Sequence, residues 1–477
     1  MMKNLFLAIA TFGVGHVCFG HGSVQAQTSV PAASLPTLAI PASYAISDGK
    51  TSGGIRLIHM RLKDEKQQVF SMSWRDRHIQ HTASKAGLLV LAPALVALGG
   101  AGQLDAGAFE EELKDVGGYI SLSRARSFTF GDISAPTTEI DATAKLFNAM
   151  LTDPKLPVIT LERRKRFLLN NLKANREQPA SIASEILSKV IIGDHAFMST
   201  VNYQPQTTVS DITVADVDAW RKAVLARDNL TVIASGPFTR EQAADLVDAT
   251  FVGLPEKAVI MEAIPFKPQT LTKTIVIERK VPQSVILIGG SVEWKAGGPV
   301  GISRSIAMTV LGGGSRSRLF IAVREKLGAA YGASSGISSI FGDISLFSME
   351  ASVANDKVIP ALAAMRSEYQ IFREKGVSAD EVDPIKRRMV SGFHDSMRKA
   401  GSAAGNIRTG FLNNLGTQAA DSYTSWVDDQ KSEAINALIK NQLPEKLTTI
   451  IIAPSAEGLG ADCVIGSIEE LSKCLVP

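Results

Sequence analysis

The chain repeats itself, and this limits its architecture more than any other feature. Phe130-Gly131-Asp132-Ile133-Ser134 recurs as Phe341-Gly342-Asp343-Ile344-Ser345, an offset of 211 residues. The same offset carries Phe109 onto Phe320 and Gly117 onto Gly328. Leu98-Gly99-Gly100 stands ahead of one copy as Leu311-Gly312-Gly313 stands ahead of the other, and Leu230-Thr231-Val232-Ile233-Ala234 resembles Leu447-Thr448-Thr449-Ile450-Ile451 at an offset of 217. One recurrence is chance; several, in one order at nearly one spacing, indicate duplication. The 477 residues are therefore read as one fold built twice. The expected halves are 27–265 and 266–477, joined near the proline-bearing stretch from Glu256 to Lys273.

Within a copy, helices and strands mix. Phe109 to Val116 and Leu319 to Leu327 read as helices that stop at a glycine. Ile140 to Met150 and Leu161 to Arg176 read as further helices, the second strongly basic. Strands are expected at Gln68 to Trp74, Phe128 to Ile133, Leu230 to Ala234, Thr274 to Glu278, Ser284 to Gly289 and Thr448 to Ile452. The fold class expected is α+β, in two homologous halves. No Gly-rich turn follows a strand in the dinucleotide pattern. Gly312-Gly313-Gly314-Ser315-Arg316 lacks the Lys-Ser/Thr of a phosphate loop, so nucleotide binding is not expected.

Fifty Lys and Arg against 47 Asp and Glu leave a net charge of +3, which gives no reason to expect a nucleic acid partner. Met1 to Ala26 reads as a secretory signal: Lys3, then the apolar run Leu5 to Gly15, then Val24-Gln25-Ala26 with small residues where a signal peptidase cleaves. Eleven apolar residues are too few to span a bilayer, which takes about 20. The expectation is an exported, periplasmic chain with no membrane span. Three cysteines exclude an all-Cys zinc module. Cys463 and Cys474 lie eleven apart and could close a short loop in an oxidising compartment; the alternative is two free thiols.

Four stretches together resemble the pitrilysin/insulinase-type zinc metallopeptidases. They are Ala86-Gly87-Leu88 opening a helix, Asp115-Val116-Gly117-Gly118 after the next, the basic helix leading to Pro179, and the run from Ser317 through Arg324 to Tyr331. The resemblance covers nearly the whole chain beyond the signal. Active members carry His-x-x-Glu-His just after the Gly-Leu. Two histidines at i and i+4 share a helix face and ligate zinc, the glutamate acts as general base, and a distant glutamate completes the coordination. Here the matching positions are Val90, Pro93, Ala94 and Asn171. Valine and alanine cannot ligate metal and proline cannot take a proton. The resemblance thus implies no metal and no catalytic residue in this chain. His78 and His81 form a His-x-x-His pair with Asp76 as its one nearby carboxylate; a polar loop is the alternative reading.

The resemblance also implies a second functional pair in the C-terminal half, an arginine and a tyrosine seven residues apart that hold the substrate backbone across a chamber. They fall on Arg324 and Tyr331. A guanidinium fork suits carbonyl and carboxylate oxygens, and a phenol can donate to an oxygen that gains charge. At the 211 offset the first half has Leu113 and Ile120, so the fold alone does not demand this pair. Some bacterial members of the family are heterodimers, with the zinc motif on one chain and the Arg/Tyr pair on the other. The chain is expected to be the substrate-positioning subunit, its partner supplying zinc, general base and an intact His-x-x-Glu-His, with a peptide as substrate. A structural or binding scaffold of the same fold is the alternative.

Overall fold

The computed structural model describes residues 43–77, 83–125, 127–193, 195, 207–262, 264–269, 271–341 and 344–475. The signal segment, His78 and His81 lie outside the described residues. Strands β1 (Ser47–Lys50), β2 (Arg56–Arg61), β3 (Gln67–Arg75), β4 (Tyr119–Ala125), β5 (Phe128–Pro136) and β6 (Leu230–Gly236) form one sheet in the order β1-β2-β6-β3-β5-β4. Strands β7 (Thr274–Glu278), β8 (Ser284–Glu293), β9 (Ala330–Phe341), β10 (Ile344–Val353), β11 (Thr448–Ala453) and β12 (Cys463–Ile465) form a second, in the order β12-β7-β11-β8-β10-β9.

Five strands of each sheet match one for one. β2 lies parallel to β6 as β7 does to β11, and the three remaining pairings are antiparallel in both sheets. The sixth strand differs: β1 is antiparallel to β2, whereas β12 is parallel to β7. The fold is α+β, in two similar halves. The repeated pentapeptide is nevertheless not equivalent in the two. Phe130 to Ser134 lies inside β5, paired with β3 and β4. Phe341 is instead the last residue of β9, and Ile344 and Ser345 open β10. β9 has 12 residues and β4 has 7, and this longer hairpin moves the offset from 211 toward 217.

Helices α1 (Leu88–Leu98), α2 (Ala106–Asp115), α3 (Ile140–Thr152), α4 (Val158–Asn175), α5 (Pro179–Ile192), α6 (Val214–Val224) and α7 (Arg240–Thr250) accompany the first sheet in sequence. α8 (Gly298–Gly312), α9 (Val358–Lys375), α10 (Ala379–Ser396), α11 (Ala400–Leu412), α12 (Ala419–Asp428) and α13 (Ser432–Gln442) accompany the second. Capping boxes at Thr213, Thr239 and Ser378 start α6, α7 and α10. Gly193 and Gly376, at φ 62° and 65°, end α5 and α9.

The strands alternate between two cores. In β3, Phe70, Met72 and Trp74 join a core with α1, α3, α6 and α7, while Val69 faces the other way. In β11, Ile451 packs with α8, α9 and α13, and Ile450 and Ile452 point to the opposite side. What covers these opposite sides is exchanged between halves. Ile182, Ile186 and Val190 of α5, from the first half, pack on β7, β8 and β11. Met397 and then Ala400, Ala403 and Ile407 of α11, from the second, pack on Ile58, Met60, Val69 and Ile233. Each half thus buries one sheet face with a helix from the other. Cys463 and Cys474 are joined, with Cα atoms 5.6 Å apart, and tie β12 to the turn after Ile468–Lys473.

Candidate functional site

α1 is apolar along its length, LLVLAPALVAL, and Pro93 sits buried inside it. Proline at that place removes the hydrogen bond to the carbonyl of Leu89. The helix packs against α4, so the two elements that would carry a zinc site are adjacent. Their side chains do not fit the metal. Val90 is 46% exposed, Ala94 is half-buried, and Asn171 is an exposed amide on α4. Among the described residues no three His, Cys, Asp or Glu side chains are grouped to hold a metal. Asp76, the carboxylate beside His78 and His81, is fully buried and already engaged. It accepts from Arg124 Nε, Thr129 Oγ1 and Trp220 Nε1, each at 3.0 Å.

Arg324 and Tyr331 lie at the other end of the chain's chemistry. A helical turn, Arg318–Phe320, continues into a π-helical turn, Ile321–Lys326. Leu319 and Val323 anchor it in the second core. Arg318 clamps it to α10 through two 2.7 Å bonds to the Glu381 carboxylate, and donates a third to the carbonyl of Gly376. This fork holds Glu381 below the usual carboxylate range against the upward pull of its partial burial. On the outer side Arg324 is exposed. Its Nη1 donates to the backbone carbonyl of Tyr331 at 2.6 Å, and its guanidinium lies 5.0 Å from the Phe320 ring centroid. Tyr331 is 82% exposed.

The backbone around both residues differs from the first half. α2 ends in a Schellman motif: the N–H of Gly117 meets the carbonyl of Lys114, and that of Gly118 meets Leu113. In the second half Gly328 reaches Arg324 and Ala329 reaches Val323, each one residue further. The two glycines match, at φ 58° and 57°. The π turn has therefore inserted one residue. Val323, not Arg324, takes the place of Leu113, which corrects the pairing the offset implies. β4 pairs with β5 without a break. In β9, Ala330 faces Val353 and Ala333 faces Ala351, so Tyr331 and Gly332 stand opposite Ser352 alone. This β-bulge re-aims the strand at Tyr331. Ile120 packs against the first core, whereas Tyr331 is turned outward. Neither irregularity has a signature in the sequence, and Phe320 as the seat of Arg324 was equally invisible there.

Residues 211–389, which include Arg324 and Tyr331, match the peptidase M16 inactive domain. Over those residues the chain resembles the M16 peptidase family. An uncharacterised zinc protease of Streptomyces coelicolor is 24% identical over 288 residues, 56% of this chain and 59% of its own length. A solved peptidase M16 inactive domain from Pseudomonas fluorescens superposes with a TM-score of 0.78 at 18% identity, covering 86% of this chain and 98% of that one. The periplasmic protease PqqL of Escherichia coli superposes at 0.74 and 15% identity, over 90% of this chain and 49% of PqqL. At such identities the likeness is one of fold. No described helix of this chain is long and apolar enough to cross a membrane.

Proposed function

We propose that this chain is the substrate-positioning, non-catalytic subunit of an exported, two-chain zinc metallopeptidase. The observation that carries the reading is the placement of Arg324 and Tyr331. Both are exposed, and they stand on the two backbone irregularities, the π turn and the bulge, that separate this passage from its plain counterpart in the first half. Such irregularities collect at functional sites. In this reading Arg324 donates to carbonyl or carboxylate oxygens of a bound peptide, and the Tyr331 hydroxyl donates to an oxygen that gains charge. The zinc and the general base come from a partner chain bearing His-x-x-Glu-His. Holding the peptide in place can supply much of the rate, so a chain without metal still governs turnover.

Two further features support the reading. PqqL is about twice the length that this chain matches, so one polypeptide there has room for two such units where a pair of chains would serve here. The Cys463–Cys474 disulfide suits an exported, periplasmic protein. The test is reconstitution. The purified chain alone is expected to cleave no peptide and to hold no stoichiometric zinc, and adding a chain with the intact motif is expected to give turnover. Stoichiometric zinc with cleavage by this chain alone would sink the proposal.

A further inference from the structure

The outer face of α4 is the most strongly charged helix surface near the erased zinc position. The helix carries five basic residues against one carboxylate, Glu162, which is taken by Lys165 at 2.8 Å. Arg163, Arg166, Asn170 and Lys173 recur at i, i+3, i+7 and i+10, one stripe of the helix, and all four are exposed. None of the three cations has an ion-pair partner among the described residues. Ile159 and Phe167 lie on the same stripe, 63% and 47% exposed. Of the helix's 18 residues only Leu161 and Lys165 are buried. An unpartnered helix with free guanidinium groups set among apolar side chains is incomplete as a surface.

We infer that this stripe is a docking strip for acidic peptide segments that also carry apolar side chains. The inference rests on the substrate-positioning reading and gives it a substrate class. Charge complementarity selects the occupant: arginine forks bind carboxylates in bidentate fashion, and Phe167 and Ile159 offer contact that a bare polyanion would not use. Asn171, on the flank of the same stripe, places it beside the position where active relatives hold metal.

The test is fluorescence anisotropy of a fluorescein-labelled peptide of Glu, Leu and Phe with the mature chain, at low and moderate salt. A peptide with Gln for every Glu is the control. The acidic peptide is expected to bind, to weaken as salt rises, and to lose about tenfold in affinity in R163E/R166E, since exposed charges act singly but add when reversed. The R387E/R388E protein, reversed at two exposed arginines of α10, makes the same change in net charge and is expected to bind as the parent does. Equal binding of the Gln peptide, equal loss in both variants, or tighter binding to phosphatidylserine vesicles than to the peptide would each overturn the inference. The arms separate this idea from the one beneath it. An R324A protein that still supports full turnover with the partner would remove the Arg324 role and leave the α4 result standing.

Discussion

Replacing Arg324 by alanine should divide stability from activity. In the folded chain this side chain makes one hydrogen bond, to the Tyr331 carbonyl at 2.6 Å, and one contact with the Phe320 ring. The hydrogen bond is exposed and Phe320 only half-buried, so together they contribute about 1 kcal/mol. The melting temperature should therefore fall by about a degree or two. Toward a peptide carbonyl or carboxylate, the same guanidinium can make two charge-assisted bonds. Losing them costs about 3 kcal/mol, or roughly 100-fold in kcat/KM. The assay is cleavage of a quenched fluorescent peptide by the reconstituted pair, beside a thermal melt of each variant. Lysine keeps the charge without the fork, so R324K should recover only part of the loss. A kcat/KM within twofold of the parent would refute the role. A melting temperature lowered far more than this, with a matching fall in activity, would make Arg324 structural.

Three other outcomes follow from the fold. Asp76→Asn leaves Arg124 buried without its counter-charge, so urea denaturation should show a loss of about 3–5 kcal/mol, and an unchanged midpoint would contradict the buried pair. Cys463→Ser with Cys474→Ser removes a cross-link closing a loop of eleven residues; the loss should be about 3 kcal/mol, concentrated at β12 and read by amide exchange there. Burial lowers the pKa of His59, with the Phe238 carbonyl opposing, and burial followed by the charge of Arg398 lowers that of His394. A depressed histidine contributes stability above its ordinary value of 6.5 that is lost as the pH falls below it. The midpoint in urea should therefore drop below about pH 6.5, and the H59Q/H394Q protein should show a shallower drop.

Parts of this molecule were legible because they are local. β-Branched runs such as Thr448 to Ile452 announce buried strands, and glycines at 117 and 328 announce helix ends. Strands β4 and β9 escaped because their residues, YISLSRA and AYGASSGISSIF, are small and polar, as an edge strand allows. The exchange of α5 and α11 between halves is a matter of long-range packing, and no local pattern in either helix names the sheet that will receive it. The pentapeptide is the sharper lesson. It pointed to a true duplication although its two copies occupy different places, because the offset it shares with Gly117 and Gly328 holds only as far as the β9–β10 hairpin. The Arg324 comparison failed by one residue for a related reason, since a π turn inserts a residue without marking the sequence.

The central claim is that this chain completes another chain's active site. The most direct measurement is affinity capture of the tagged, mature protein from its own cells, with the masses and sequences of what accompanies it. The account predicts one other chain of similar size, in equal amount, bearing His-x-x-Glu-His. A chain that comes out alone, or with proteins unrelated to peptidases, would contradict it and leave Arg324 and Tyr331 without the role proposed for them.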